Sequence, residues 1–239
     1  MNENVKGVIF DLDDLIIDTD TLNHQAWRSV LVKNSTTISI ADFSSKFSAR
    51  FHNRKSVECA SMLIQEFDLK KTQDELVKER NIELNRILGN GIKAREGLPE
   101  LLHSLYRDGY DLALATAAKR WYAEAVLTNL GIRKLFTILL ASEDVTHIKP
   151  DPEVYQKAAK SLNLTPSECL AIEDDERGLT AAITAGIRCL VVPTVWSQSE
   201  NLTKAVFIAK DIPDAAGWIQ RLRRSEKMTY AGQRRMVQT

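Results

Sequence analysis

From Val5 to Phe10 the chain is largely apolar, then it stops at Asp11, with Asp13 and Asp14 close behind: three carboxylates within four residues. A run this short and apolar has the pattern of a strand buried on both faces, as in the middle of a parallel sheet. In open α/β sheets, ligands bind in the crevice beyond the carboxyl ends of the strands, so these acids fall where chemistry is expected. Crowded like charges raise one another's pKa unless a cation keeps them ionised. Oxygen-only ligands on a tight loop suit a hard cation such as Mg²⁺, which takes one or two carboxylates and a phosphate and keeps several waters. A solvated turn with a helix cap explains one Asp easily and two with effort, but not the partners found downstream.

The rest of the chain sorts into two patterns. Thr19 to Val32 has helical spacing, with Thr19 or Asp20 as its cap, and about 41–88 reads as helices without strands, ended by Gly89-Asn90-Gly91. From Gly97 onward, helix and strand alternate. Helices are expected over Leu98–Arg107, Trp121–Leu130, Asp151–Leu162, Gly178–Ala185 and Asp214–Leu222. Strands are expected over Leu112–Ala115, Phe136–Leu140, Cys169–Ile172 and Arg188–Val192, with an edge strand over Ala205–Ile208. Such alternation implies βαβ units, an α/β fold with a doubly wound parallel sheet. The expected organisation is a core from residues 1–17 and 93–224, an inserted helical cap over 18–92, and a poorly ordered polar tail over 225–239.

Lys plus Arg equals Asp plus Glu, 32 against 32, so no overall field argues for nucleic acid or a membrane surface. Cys59, Cys169 and Cys189 lack metal or redox spacing and read as free buried thiols of a reducing compartment. No basic leader and no membrane-length apolar run is present, so a cytoplasmic monomer is the expectation.

Three later strand ends complement the first. At Thr116-Ala117-Ala118-Lys119, a hydroxyl followed by small residues lets backbone N–H groups approach an anion; an ordinary N-cap Thr is the competing reading. At Lys149-Pro150-Asp151-Pro152 the prolines fix the backbone, and Lys149 suits phosphoryl oxygens and keeps a nucleophilic carboxylate ionised; a solvated Lys beside a capping Asp competes with this. At Ile172-Glu173-Asp174-Asp175 a second buried strand stops at acids, which either share a divalent cation with Asp11 and Asp13 or complement a helix dipole.

Asp11-x-Asp13, Thr116, Lys149 and Glu173-Asp174, in that order, resemble the four motifs of the haloacid dehalogenase-like superfamily. The resemblance spans nearly the whole chain. The helical insert is similar to the small cap of the branch holding β-phosphoglucomutase, CbbY-like proteins and many sugar-phosphate phosphatases. The resemblance implies a Rossmann-like core and assigns roles. Asp11 is the nucleophile and Asp13 the acid/base. Asp11, the Asp13 carbonyl and Asp174 hold Mg²⁺, with Glu173 as a further ligand or supporting acid. Thr116, Ala117, Lys119 and Lys149 bind the phosphoryl group. Asp14, Leu15 and Asp175 stand where many relatives have Gly, Thr and Ser.

Asp13 separates the reactions, because dehalogenases and phosphonatases of the superfamily lack it. A phosphatase and a phosphomutase remain, the first favoured because Asn23 occupies the place of the mutase cap His. His24 lies one residue on, turned by about 100° on a helix, and reads as a partly exposed residue. Arg50, His52, Arg54 and Lys55 form a basic cluster at a turn of the cap: either a solvated loop or a contact for the non-transferred end of the substrate. The expected activity is Mg²⁺-dependent hydrolysis of a small phosphorylated metabolite, a sugar phosphate. The alternatives are a β-phosphoglucomutase-type isomerase and a weakly catalytic binding protein.

Overall fold

The computed structural model describes residues 4–51, 54–195, 197 and 200–236. In chain order the elements are β1 (Gly7–Phe10), α1 (Thr19–Lys33), α2 (Ile40–Phe51), α3 (Ser56–Phe67), α4 (Gln73–Gly89) and α5 (Leu98–Arg107), then β2 (Asp111–Ala115), α6 (Arg120–Asn129), β3 (Ile138–Leu140), α7 (Glu153–Ser161), β4 (Cys169–Glu173), α8 (Glu176–Thr184), β5 (Arg188–Val191), β6 (Phe207–Ile208) and α9 (Ile212–Met236). The chain divides into two compact units, one from residues up to Ile17 and from Ala94 onward, the other Asp18–Lys93.

The first unit is a six-stranded sheet in the order β3-β2-β1-β4-β5-β6, with every neighbouring pair parallel. β1 is buried along its whole length because it pairs on both sides: Phe10 lies opposite Leu114 of β2 and Ile172 of β4. After β1 the chain builds β2 and β3 on one side, then crosses to β4, β5 and β6 on the other. The direction of winding therefore reverses between β1 and β4, the kind of junction where such sheets open a crevice for a ligand.

Two expectations need correction here. The edge strand shrinks to Phe207–Ile208. The last helix does not stop at Leu222 but runs on to Met236, through most of the expected tail. The segment contains Arg, Glu, Lys, Met, Gln and Ala, and it lacks Pro, so intrinsic propensity favours continuing the helix although little apolar surface calls for it.

The second unit is four helices. Its core includes an aromatic column on α2 at four-residue spacing, Phe43, Phe47 and Phe51, with Trp27 of α1, Leu63 of α3 and Leu76 of α4. The Phe43 and Phe47 rings lie 4.9 Å apart. α1 is capped by Asp18, not by Thr19 or Asp20: Asp18 Oδ1 accepts from Thr21 N at 2.9 Å. Cys59, Cys169 and Cys189 are buried and free. Among the described residues, no helix is long and apolar enough to cross a membrane.

Candidate active site

Asp11 is the residue at which β1 ends. Its N–H donates to Ile172 O of β4 at 3.0 Å, which anchors the backbone while the carboxylate stays almost wholly buried. Lys149 arrives on the loop before α7, and Arg177 of α8 fixes that loop by donating to Lys149 O at 2.8 Å. Lys149 Nζ donates to Asp11 Oδ1 at 2.5 Å and to Glu173 Oε1 at 2.6 Å. Tyr155, on α7, donates its hydroxyl to the same Glu173 oxygen. Asp174 follows Glu173, and its backbone oxygen accepts from Ser197 Oγ at 2.6 Å. Carboxylate oxygens of Asp11, Glu173 and Asp174 lie within 4.8 Å of one another.

This is a buried, acidic cluster. Burial pushes the carboxyls of Asp11 and Asp174 up, and that of Glu173 to about 8, with neighbouring acids adding to the rise and Lys149 opposing it at Asp11 and Glu173. Burial alone would lower the Lys149 ammonium, but Asp11 and Glu173 outweigh it and hold it above its ordinary value. Lys149 therefore stays charged, and three acids crowd around one cation. Hard oxygen donors carrying excess negative charge at this spacing fit a small divalent cation such as Mg²⁺.

The sheet register puts Thr116, just beyond β2, at the same end of the sheet as Asp11. Thr116 is buried and its Oγ1 accepts from Ala118 N at 3.0 Å, while α6 begins only at Arg120. It shapes the turn rather than capping the helix. Ala117 is exposed, and so is Lys119, whose Nζ lies 3.8 Å from Glu143 Oε1. Asp13, half-exposed, follows in the β1 loop, where its backbone bridges to Ile17. Asp14 has φ 55°, in the left-handed region that favours Gly and that Asp tolerates better than most residues. Asp175 Oδ1 accepts from Gly178 N at 2.8 Å and caps α8, the service a Ser would render there.

The remaining residues belong to the helical unit. Asn23 Oδ1 accepts from Arg80 Nη2. Arg50 lies 3.3 Å from Glu66 Oε2 and covers the Phe47 ring, its guanidinium 5.0 Å from the ring centre, while Arg54 lies 3.9 Å from Glu58. His52 lies outside the described residues. His24 is not a partly exposed residue: it is 5 % exposed, tilted against Phe43 at 5.8 Å and 3.4 Å from Ser48 Oγ, and burial lowers its pKa.

Sequence reading misses Tyr155, Gly178 and Ser197. The signal for Gly178 is its position one turn after the Glu-Asp pair. A Cβ there would sit 2.0 Å from Glu173 Oε2. Glu173 cannot swing aside without leaving Lys149 and Tyr155. Gly178→Ala is therefore expected to cost about 1–3 kcal/mol of stability, the usual cost of overpacking, and to lower turnover with it. Urea unfolding of the variant beside the wild type measures this, and an unchanged midpoint would show that Glu173 is not pinned.

A family model for haloacid dehalogenase-like hydrolases matches residues 8–192. The chain belongs to that family. The hydrolase is 24% identical over 225 residues to protein CbbY of Rhodobacter capsulatus, covering 89% of this chain and 96% of the relative. It is 30% identical over 209 residues to validoxylamine A 7'-phosphate phosphatase of Streptomyces hygroscopicus subsp. limoneus, covering 87% of this chain and 95% of the relative. It is 27% identical over 189 residues to fructose-1-phosphate phosphatase of Escherichia coli, covering 78% and 96%. Its fold matches that of β-phosphoglucomutase from Clostridium difficile with a TM-score of 0.71 at 24% identity, over 94% of this chain and 99% of that one.

Proposed function

We propose that this hydrolase is a Mg²⁺-dependent phosphatase of a small phosphorylated metabolite, a sugar phosphate, working through an aspartyl-phosphate. The observation that carries the reading is Lys149, buried and bridging Asp11 and Glu173. Lys149 favours the ionised form of Asp11 against the burial that opposes it, and its remaining N–H serves a transferring phosphoryl oxygen. Asp11 attacks phosphorus; the P–O bond to the sugar breaks as a P–O bond to Asp11 forms. Asp13 gives its proton to the departing sugar oxygen, then takes one from the water that cleaves the aspartyl-phosphate and releases inorganic phosphate. Thr116 and the turn it shapes bind the phosphoryl oxygens. Asp11, the Asp13 carbonyl and Asp174 would hold Mg²⁺, with Glu173 beside them. When bound, the cation offsets charge that develops on the phosphoryl oxygens.

Substrate choice is assigned to the helical unit, and the names of the phosphatase relatives point to phosphorylated sugars and sugar-like compounds. The burial of His24 among Phe43 and Ser48 supports hydrolysis over isomerisation, since it takes the histidine next to Asn23 out of proton transfer. The test is phosphate release from a panel of sugar phosphates with and without Mg²⁺, beside conversion of β-glucose 1-phosphate to glucose 6-phosphate. Metal-dependent release from a few sugar phosphates is expected. Isomer formation without release would replace the phosphatase by the mutase, and silence throughout would leave a binding protein.

A further inference from the structure

Tyr155 is buried beneath the reacting cluster, and nothing in the chemistry above uses it. Its hydroxyl and the Lys149 ammonium donate to one and the same oxygen, Glu173 Oε1. Its ring also supports Lys149 from another side, with Nζ 5.1 Å from the ring centre. A carboxylate oxygen has two in-plane lone pairs, and here both are taken, one by each donor. The Glu173 carboxyl also lies against Gly178, where only a residue without a side chain leaves room. Glu173 is thus held by the Tyr155 hydroxyl and packed against α8.

Packing alone does not need this hydroxyl. A Phe would fill the same volume and offer the same ring face to the ammonium, and a phenol buried against an acid is stable only while it keeps a partner. A phenol keeps its proton at neutral pH, so Tyr155 is the donor to Glu173. The consequence concerns Lys149. Its long stem has several rotatable bonds, and its Nζ reaches Asp11 at 2.5 Å only while its other anchor stays in place. If Glu173 turned, Lys149 would be free to follow it away from Asp11.

We propose that Tyr155 is a positioning residue: its hydroxyl locks the Glu173 carboxylate, and Glu173 holds Lys149 against Asp11 at the distance phosphoryl transfer requires. Glu173 then serves first as the anchor of Lys149, and Asp11 and Asp174 are left as the acids that meet the cation. This rests on the phosphatase reading of the site and adds a residue to it.

The test is Tyr155→Phe in the full chain, with two readouts. The first is steady-state phosphate release at saturating Mg²⁺ on the best substrate of the panel. The second, which needs no turnover, is binding of orthovanadate in the presence of Mg²⁺, followed by the shift in melting temperature. Loss of a hydrogen bond that orients a ligand or catalytic group typically costs about 10–100-fold. The variant is expected to lose kcat by about that factor with KM within about threefold, and to bind vanadate about 10-fold more weakly. Its melting temperature without ligand should stay within a few degrees of the wild type. Wild-type kcat in the variant, or losses in kcat and KM that merely follow a drop in melting temperature, would overturn the assignment and leave the phosphatase reading standing. A wild type that neither releases phosphate nor binds vanadate would overturn both together.

Discussion

Asp11→Asn is expected to abolish phosphate release, by at least about a thousandfold, because no carboxylate remains to form the covalent intermediate. Asn has the shape of Asp, its carbonyl oxygen can still accept from Lys149, and the backbone N–H to Ile172 O is untouched. The fold should therefore survive. Burial already raises the Asp11 carboxyl, so the charged side chain is held at a cost, and the Asn variant should melt at the wild-type temperature or slightly above it. The two measurements must diverge: activity gone, stability kept. Turnover above a tenth of wild type would remove Asp11 from the role of nucleophile, and a collapse in melting temperature would make the loss of activity uninformative.

Lys149→Met should damage both properties. The side chain has similar length, so packing is largely kept, but Asp11 and Glu173 lose the cation that joins them. Breaking a buried pair from one side typically costs about 3–5 kcal/mol, a fall in melting temperature on the order of 10 °C for a chain of this size. The loss depends on pH with a definite sign. Glu173, already at about 8 with Lys149 present, moves higher without it. A carboxyl raised in the folded state favours folding below its unfolded value, and this contribution is lost as pH rises through the folded value. The deficit of metal-free Lys149→Met should thus be smallest below about pH 8, where Glu173 stays protonated in both proteins, and should grow as pH rises above it. A deficit that stayed constant with pH would mean that electrostatics at Glu173 is not its cause. Turnover should drop by orders of magnitude at every pH, since the phosphoryl oxygens lose their fixed positive charge.

Much of this site is legible in the sequence, for a simple reason: buried parallel strands are short apolar words, and acids at their ends stand out against them. β1 with Asp11 and β4 with Glu173 and Asp174 are found this way, and the two prolines around Asp151 mark the Lys149 loop. What escapes is contact between residues far apart in the chain. Tyr155 looks like one apolar position of α7, and only the fold reveals that its hydroxyl meets Glu173. His24 looks like a polar position of α1, and only the aromatic column of α2 buries it. That column is itself visible as Phe43, Phe47 and Phe51 at four-residue spacing, yet the polar residues between them mask it. The extent of α9 is lost for another reason. Periodic burial marks where a helix packs, and not where a run of good helix formers chooses to stop.

The position of β1 in the sheet also orders events in time. It precedes the other strands of the sheet in the chain, yet its partners are β2 and β4, so its second edge is not paired until the chain has reached Ile172. The whole of Asp18–Lys93 intervenes before even the first edge closes. Joining ends across a long intervening stretch costs only slowly more as it lengthens, about 0.6 kcal/mol per doubling, but it delays the sheet relative to contacts that are local in sequence. The four helices are such contacts. During synthesis they are therefore ready early, while Asp11 waits as an unpartnered acid on an unpaired strand. Asp11 meets Lys149 and Glu173 only after β4 has been made, so a nascent or truncated product ending before β4 carries Asp11 without the residues that surround it.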